Sequence, residues 1–389
     1  MATGGPAPIV GLYLSAPFCR SKCSYCNFAS QVYPVAVYRE YCDLLAREIE
    51  LAAASDDLIG TTVDTIYWGG GTPTLLPPDG FASIIAAIRR TFVLAPGCEH
   101  TVEAAPGTLD SHRLDVLTSA GVNRLSLGAQ SFHDAELRAV GRLHRAATVA
   151  DDIARARSAG ITNCNLDLIA GLPHQTTATF RISVERALET GAPHVSVYML
   201  EVDEESRLGH ELLAGGERYH AHFVPDDDLI ADNYEWACAR LNEAGVRQYE
   251  ISNFARPGFE SRHNERYWLR QPYLGCGLDA HSMIGNRRFA NPDVLAAYCD
   301  PLRIGRLSRD APVVLTLAAE REEYYFLGLR RNAGVTLRTA DPQSEAIPAL
   351  VASGLLTRDG DTITLTPRGR MLSNQVFAEF LEPVGATES

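Results

Sequence analysis

Three cysteines stand within eight residues, in the run Ala16-Pro17-Phe18-Cys19-Arg20-Ser21-Lys22-Cys23-Ser24-Tyr25-Cys26-Asn27-Phe28. Their spacing is C-x3-C-x2-C. Thiolate sulfur holds iron–sulfur clusters, and a cubane cluster has four irons. Three cysteines at Cys19, Cys23 and Cys26 therefore leave one iron open to a chelate from outside the chain. Tyr25 stands just before the third thiolate. The competing metal is zinc, whose structural sites are closed by four ligands, often as paired C-x2-C units. No second pair exists in this chain. The other six cysteines are scattered singly, and their default role is that of a small buried hydrophobe. Free thiols beside a cluster motif predict a reducing compartment, the cytoplasm.

The first two-thirds of the chain alternates strand-like and helix-like stretches. Strands are predicted at Pro8–Leu14, Asp64–Trp68, His100–Ala104, Asn123–Leu127, Asn163–Ile169 and His194–Met199. Helical stretches lie between them at Val35–Ala54, Phe81–Phe92, Ser111–Ala120, Ala147–Ala159 and Thr176–Leu188, two of them stopped by Gly121 and Gly160. This alternation argues for a parallel sheet with helices outside. Eight units close a full barrel. About six predict an α/β fold of the partial (β/α)6 kind, open on one side. The motifs fall at C-terminal strand ends, where barrel enzymes place their chemistry.

Beyond about Val202 the rhythm changes. Asp203–Gly216 is charged and glycine-containing and reads as an irregular connection. Asp226–Gly245 reads as a helix and Arg247–Ile251 as a strand. Ser252–Asn291, rich in Gly, Asn, Arg and aromatics, reads as a functional loop region. A helix at Glu320–Arg330, a hairpin at Leu355–Thr366 around Asp359-Gly360-Asp361, and a helix at Gly369–Phe380 resemble a small winged-helix-like α+β domain. The expected divisions are a mobile tail at 1–8, the barrel at 9–245, a loop-rich connection at 246–310 and the C-terminal domain at 311–389.

Charge and hydropathy exclude several partners. The net charge of −13 disfavours long-range attraction to nucleic acid or an anionic membrane. The first eight residues lack the basic and apolar regions of a signal peptide. No apolar run approaches membrane-spanning length.

Polar residues gather where a cofactor would sit. Trp68-Gly69-Gly70-Gly71-Thr72-Pro73-Thr74 follows a strand, and its glycines let backbone approach a ligand closely. Such a loop suits the amino end of a small amino acid-like chelator. Glu103, Gln130, Arg142 and Asp167 follow at or after strand ends. A carboxylate among apolar strand residues, such as Asp167, needs a partner, and a ribose diol is a good one. Arg142 can make a planar two-point contact with a carboxylate. The plain alternative is a set of barrel-mouth salt bridges, Arg142 with Asp167 among them.

The cysteine spacing resembles the signature of the radical S-adenosylmethionine (SAM) superfamily, in which SAM chelates the open iron. From Tyr13 to about Phe380 the chain further resembles the oxygen-independent coproporphyrinogen III oxidases and, more closely, the haem chaperones called HemW. The matching pieces are the cysteine loop, Gly69–Thr74, Asn123-Arg124-Leu125-Ser126, Asp167-Leu168-Ile169-Ala170-Gly171-Leu172-Pro173 and His263-Asn264-Glu265-Arg266-Tyr267-Trp268. The resemblance implies a [4Fe-4S] cluster on Cys19, Cys23 and Cys26. It implies SAM contacts from Tyr13, Gly70, Gly71, Thr72, Glu103, Gln130, Arg142 and Asp167, with Tyr25 beside the cluster. It also implies haem as a ligand and a haem acceptor such as a membrane-bound respiratory protein, with no membrane segment in the chain itself.

Two features separate chaperone from oxidase. The oxidase pattern carries a fourth cysteine two positions after the third, where this chain has Phe28. The H-N-x-x-Y-W motif is a chaperone feature, and His263-Asn264 with Tyr267-Trp268 fits it. Neutral imidazole is a good axial ligand for haem iron; on its own His263 reads as a loop histidine in a hydrogen bond, and the motif sets haem contact beside that reading as an equal alternative. Three functions compete: haem binding and delivery, SAM-dependent oxidative decarboxylation of coproporphyrinogen III, and radical chemistry on another substrate. Whether the chain is an enzyme stays open, since the SAM site reads as intact while Phe28 argues against oxidase activity.

Overall fold

The computed structural model describes residues 9–338 and 340–381. The expected tail at 1–8 lies outside the described residues. Six strands carry the N-terminal part: β1 Ile9–Ala16, β2 Thr62–Gly70, β3 Val93–Ala104, β4 Arg124–Gln130, β5 Asn163–Ala170 and β6 His194–Met199. They pair in chain order and all in parallel. A helix covers each crossover, as a parallel sheet requires. The expected six-unit α/β barrel is therefore present.

Alternation along the strands explains the shape. In β1 the residues Val10, Leu12 and Leu14 face outward against helices and are 0–1% exposed. Trp68 of β2 likewise stacks on Phe81 of the helix Pro78–Thr91, centroids 4.4 Å apart. Each such buried side chain contributes roughly 1.5–3 kcal/mol. The opposite parity points into the barrel, and there the residues are polar: Tyr13 pairs in register with Tyr67, Thr101 with Arg124, Glu103 with Ser126 and Asp167 with Ser196. The usual barrel interior is packed with Val, Ile and Leu. This one is built to hold hydrogen bonds.

The sheet does not stop at six strands. Five short strands follow, β7 Arg247–Gln248, β8 Asn253–Ala255, β9 Tyr273–Cys276, β10 His281–Ile284 and β11 Arg287–Ala290, then β12 Val313–Val314. Their order is β12-β11-β10-β9-β1-β2-β3-β4-β5-β6-β8-β7. So β9 adds in parallel beside β1, and β8 adds antiparallel beside β6. This corrects the loop reading of Ser252–Asn291, which holds four of these strands and a helix, Arg262–Trp268. Strands of three or four residues are too short to show a period of two. Asp203–Gly216 is corrected too: Arg207–Ala214 is helical, with Ser206 as N-cap accepting the Gly209 amide at 3.0 Å.

A second core forms at the C-terminal end. There β13 Val335–Thr336, β14 Leu356–Asp359 and β15 Thr362–Leu365 make a three-stranded antiparallel sheet in the order β13-β15-β14. Tyr325, Leu329, Ile363, Val376 and Phe380 pack beneath it with Ile251. The expected hairpin is β14–β15. The last expected helix is broken in two, Pro367–Met371 and Ser373–Ala378.

The helix Arg262–Trp268 plugs the lower end of the barrel, where the strands begin. Arg266 is 3% exposed, pairs with Asp64 and donates Nη1 to Pro272 O at 2.9 Å. It enters beside Gly11 of β1, where a Cβ would stand 2.6 Å from its Cδ. A glycine in mid-strand is otherwise unfavourable; here it makes room for the plug.

Candidate cofactor site

At the upper end of the barrel, where the strands finish, lies a cavity of about 600 Å³. Cys19, Cys23 and Cys26 form one side of it. Gly70, Gly71, Thr72, Glu103, Gln130, Arg142 and Asp167 form others, and Tyr25 stands between. Of the expected contacts above the floor, Tyr13 alone lies outside this wall. Its ring stacks on Tyr67 at 6.2 Å, one layer deeper, and burial pushes its hydroxyl pKa up.

The cysteine loop is clamped from two sides. Gly71 N–H donates to Ala16 O at 2.8 Å and Thr72 N–H to Phe18 O at 2.7 Å. A Cβ on Gly71 would meet the Phe18 carbonyl at 2.7 Å. Gly70 adopts φ +96°, where glycine is favoured. The glycine loop thus spends two amides on the cysteine loop, where the sequence reading offered them to a ligand. On the other side Ser24 N–H donates to Val140 O at 3.2 Å and Ser21 Oγ to Gly141 O at 3.1 Å.

Arg142 is held between these parts. Nη2 donates to Gly128 O at 2.5 Å and Nη1 to Cys23 Sγ at 3.6 Å, while Nε is buried without a partner among the described residues. The expected alternative pairing with Asp167 does not occur. Asp167 instead accepts from Asn165 Nδ2 at 2.8 Å and Ser126 Oγ at 3.4 Å. Glu103 accepts from Tyr67 OH at 2.9 Å. Burial, and then the charge of Asp167, push the Glu103 carboxyl pKa up to about 8. Burial raises Asp167 as well. Arg124, 1% exposed beneath them, works in the other direction on both, and its own Nε has no partner among the described residues.

This wall fits a cluster and an amino acid-like chelate. It offers three thiols on one loop, a buried donor without a partner, and two carboxyls that gain from a cationic or hydroxyl partner. Burial raises the Cys19 thiol while bonds from Ser30 and Thr72 oppose it. Among the described residues no three His, Cys, Asp or Glu side chains gather as ligands of one metal ion.

Of the two readings of His263, the structure shows the hydrogen-bonded one. The ring sits in the barrel floor at 0% exposure. Nδ1 is hydrogen-bonded to Thr65 Oγ1 at 2.9 Å and Nε2 to Tyr267 OH at 2.8 Å. Burial, with Arg266 and Arg124, lowers its pKa to about 3, so it is neutral, yet neither nitrogen is open to iron. Trp268 faces the C-terminal unit, with Arg330 4.3 Å above its ring.

Several wall residues escaped the sequence reading: Tyr67, Ser126, His144, Tyr198 and the apolar rim residues Leu143 and Leu200. Tyr67 and Ser126 share the inward parity of Glu103, which was a usable signal. The rim residues come from loops and carried none.

Residues 13–187 match the family model of the Radical SAM superfamily. The chain is 36% identical over 382 residues to the Heme chaperone HemW of Bacillus subtilis, covering 95% of this chain and 98% of that one. It is 34% identical over 278 residues to the Heme chaperone HemW of Escherichia coli, covering 71% of each. A solved structure of Escherichia coli coproporphyrinogen III oxidase (HemN), described as a radical SAM enzyme, superposes with a TM-score of 0.83 at 26% identity, covering 96% of this chain and 90% of that one.

Proposed function

The chain belongs to the HemW family of heme chaperones within the radical SAM superfamily, and on that footing we propose that it binds haem and delivers it to an acceptor protein. Cys19, Cys23 and Cys26 would hold a [4Fe-4S] cluster. Gly70, Gly71, Thr72, Glu103, Gln130, Arg142 and Asp167 would hold SAM, with Tyr25 beside it and Tyr13 supporting Tyr67 and Glu103 from below. When bound, the reduced cluster supplies an electron for cleavage of SAM. The chain's own part is to place two carboxyls, tie Arg142 to a cluster thiol and shield the site beneath the rim. We place this work in a reducing cytoplasm. Any membrane-bound acceptor would bring its own anchor; no helix among the described residues is long and apolar enough to cross a membrane.

The observation that carries the chaperone reading is Phe28. It stands where the oxidase pattern has its fourth cysteine, and it lies on the cavity wall, 64% exposed. An apolar ring there supports contact with a flat apolar ligand, not ligation. The second reading, coproporphyrinogen III oxidase, draws on the likeness to the solved oxidase and on the polar wall that lines the cavity. One anaerobic assay separates them. The rebuilt protein is given coproporphyrinogen III, SAM and a reductant, and in parallel ferric haem. The expected outcome is a haem-bound species and no protoporphyrinogen IX. Product at catalytic turnover would remove the chaperone reading.

A further inference from the structure

We propose that His220 is an axial ligand of haem iron and that His174 orients it, at the outer rim of the barrel mouth. This rests on the haem-binding reading above and gives that reading a site. The two rings are inclined at 65°, with His174 Nε2 3.1 Å from His220 Nδ1. Among the described residues this is the one imidazole pair joined by a hydrogen bond. With Nδ1 tied, the atom left open on His220 is Nε2, the less hindered ring nitrogen. The atom left on His174 is Nδ1, crowded by its own backbone. Iron-ligating histidines characteristically spend the second nitrogen on such a partner, which fixes tautomer and ring plane.

The backbone is bent to make the pair. His174 has φ +66° and His220 φ +60°, both left-handed and neither glycine. Strain of this kind at two converging positions points toward a functional role. The His174 ring stacks on Phe223 with centroids 4.2 Å apart, and its amide donates to Phe223 O at 2.9 Å. Glu211 then fastens the turn by accepting the amides of Tyr219 at 2.7 Å and Ala221 at 3.1 Å. The same unit exposes Leu212, Leu213 and Phe223, apolar surface for a flat macrocycle.

The unit is also tied to the cysteine loop. Asn27 Nδ2 donates to Asp203 Oδ2 at 2.7 Å, Leu208 N–H to Ser24 O at 2.8 Å and Arg207 Nη1 to Lys22 O at 3.2 Å. A ligand seated on His220 therefore shares a frame with Cys23 and Cys26. The other conspicuous histidines are engaged. His100, His194 and His263 are buried, and His144 uses Nε2 on Ala129 O at 3.2 Å.

The test titrates the full-length, cluster-rebuilt protein with ferric haem, as wild type, His220→Asn and His174→Asn. Asparagine tolerates the left-handed backbone, so the turn survives the change. Wild type is expected to give the Soret band of imidazole-ligated haem. His220→Asn is expected to bind at least about tenfold more weakly and lose that band, and added imidazole should restore it. His174→Asn should keep the band with a few-fold loss in affinity. Wild-type affinity and spectrum in His220→Asn would overturn the ligand assignment while leaving haem binding in place. A wild type that takes up no haem would sink the functional reading itself, and this site with it.

Discussion

The two ends of the barrel carry the two most conspicuous motifs of the chain, and they are built to opposite plans. At the mouth, the cysteine loop borders a cavity of about 600 Å³, and Arg142 Nε has no partner among the described residues. At the floor, the His263–Trp268 helix is driven into the barrel: His263 has both nitrogens bonded, and Arg266 is paired with Asp64. Both motifs read as binding sites in one dimension. Only the first leaves groups free for a ligand. A run of His, Tyr and Trp reports that polar and aromatic atoms are needed at a place, and the need can be met inside the protein.

Four changes should break or sharpen this contrast. The largest effect belongs to the mouth: Cys23→Ser removes a thiolate and should abolish the cluster's absorbance, while His263→Gln should retain it. Iron and sulfide analysis of both variants checks the pair. Next comes the floor. His263→Ala strands Thr65 Oγ1 and the Tyr267 hydroxyl in a buried layer and should cost about 2–4 kcal/mol in urea unfolding. Haem affinity of the protein that remains folded should be unchanged.

The third effect is a pH dependence. Glu103 is raised from 4.5 to about 8, so the folded chain holds a proton that the unfolded chain releases earlier. Its contribution to stability is full below about 4.5 and is lost as pH rises through about 8. Binding a cationic amino group requires that proton to leave. SAM affinity should therefore fall about tenfold per unit as pH drops below about 8, and Glu103→Gln should flatten the profile. Calorimetry across that range measures it. The smallest effect concerns Arg142, whose Nη1 donates to Cys23 Sγ. A positive donor at a cluster thiolate favours the reduced state. Arg142→Met should lower the cluster potential, by about 40 mV if the contact contributes about 1 kcal/mol. A redox titration followed by EPR reads the sign.

The six-strand rhythm was legible because the outward faces of the strands alternate with polar inward residues and because Gly121 and Gly160 stop two helices. The polar wall of the cavity was legible because its residues stand at strand ends, which the parallel order brings together. What stayed hidden has physical reasons. The strands β8–β11 are too short for a pattern. The use of the Gly71 and Thr72 amides by the cysteine loop depends on a loop–loop contact that spacing does not encode. The engagement of His263 depends on Thr65, nearly two hundred residues earlier. Arg124 stood in a quoted motif, but its place beneath Glu103 and Asp167 follows from the β3–β4 and β4–β5 register alone.

The central claim is that the mouth holds a cluster with one iron left for an outside chelate. The direct measurement is the EPR spectrum of the reduced, anaerobically rebuilt protein before and after SAM is added. A four-iron signal whose g values shift on addition is the predicted result. The same spectrum with and without SAM, or no four-iron signal, would contradict it.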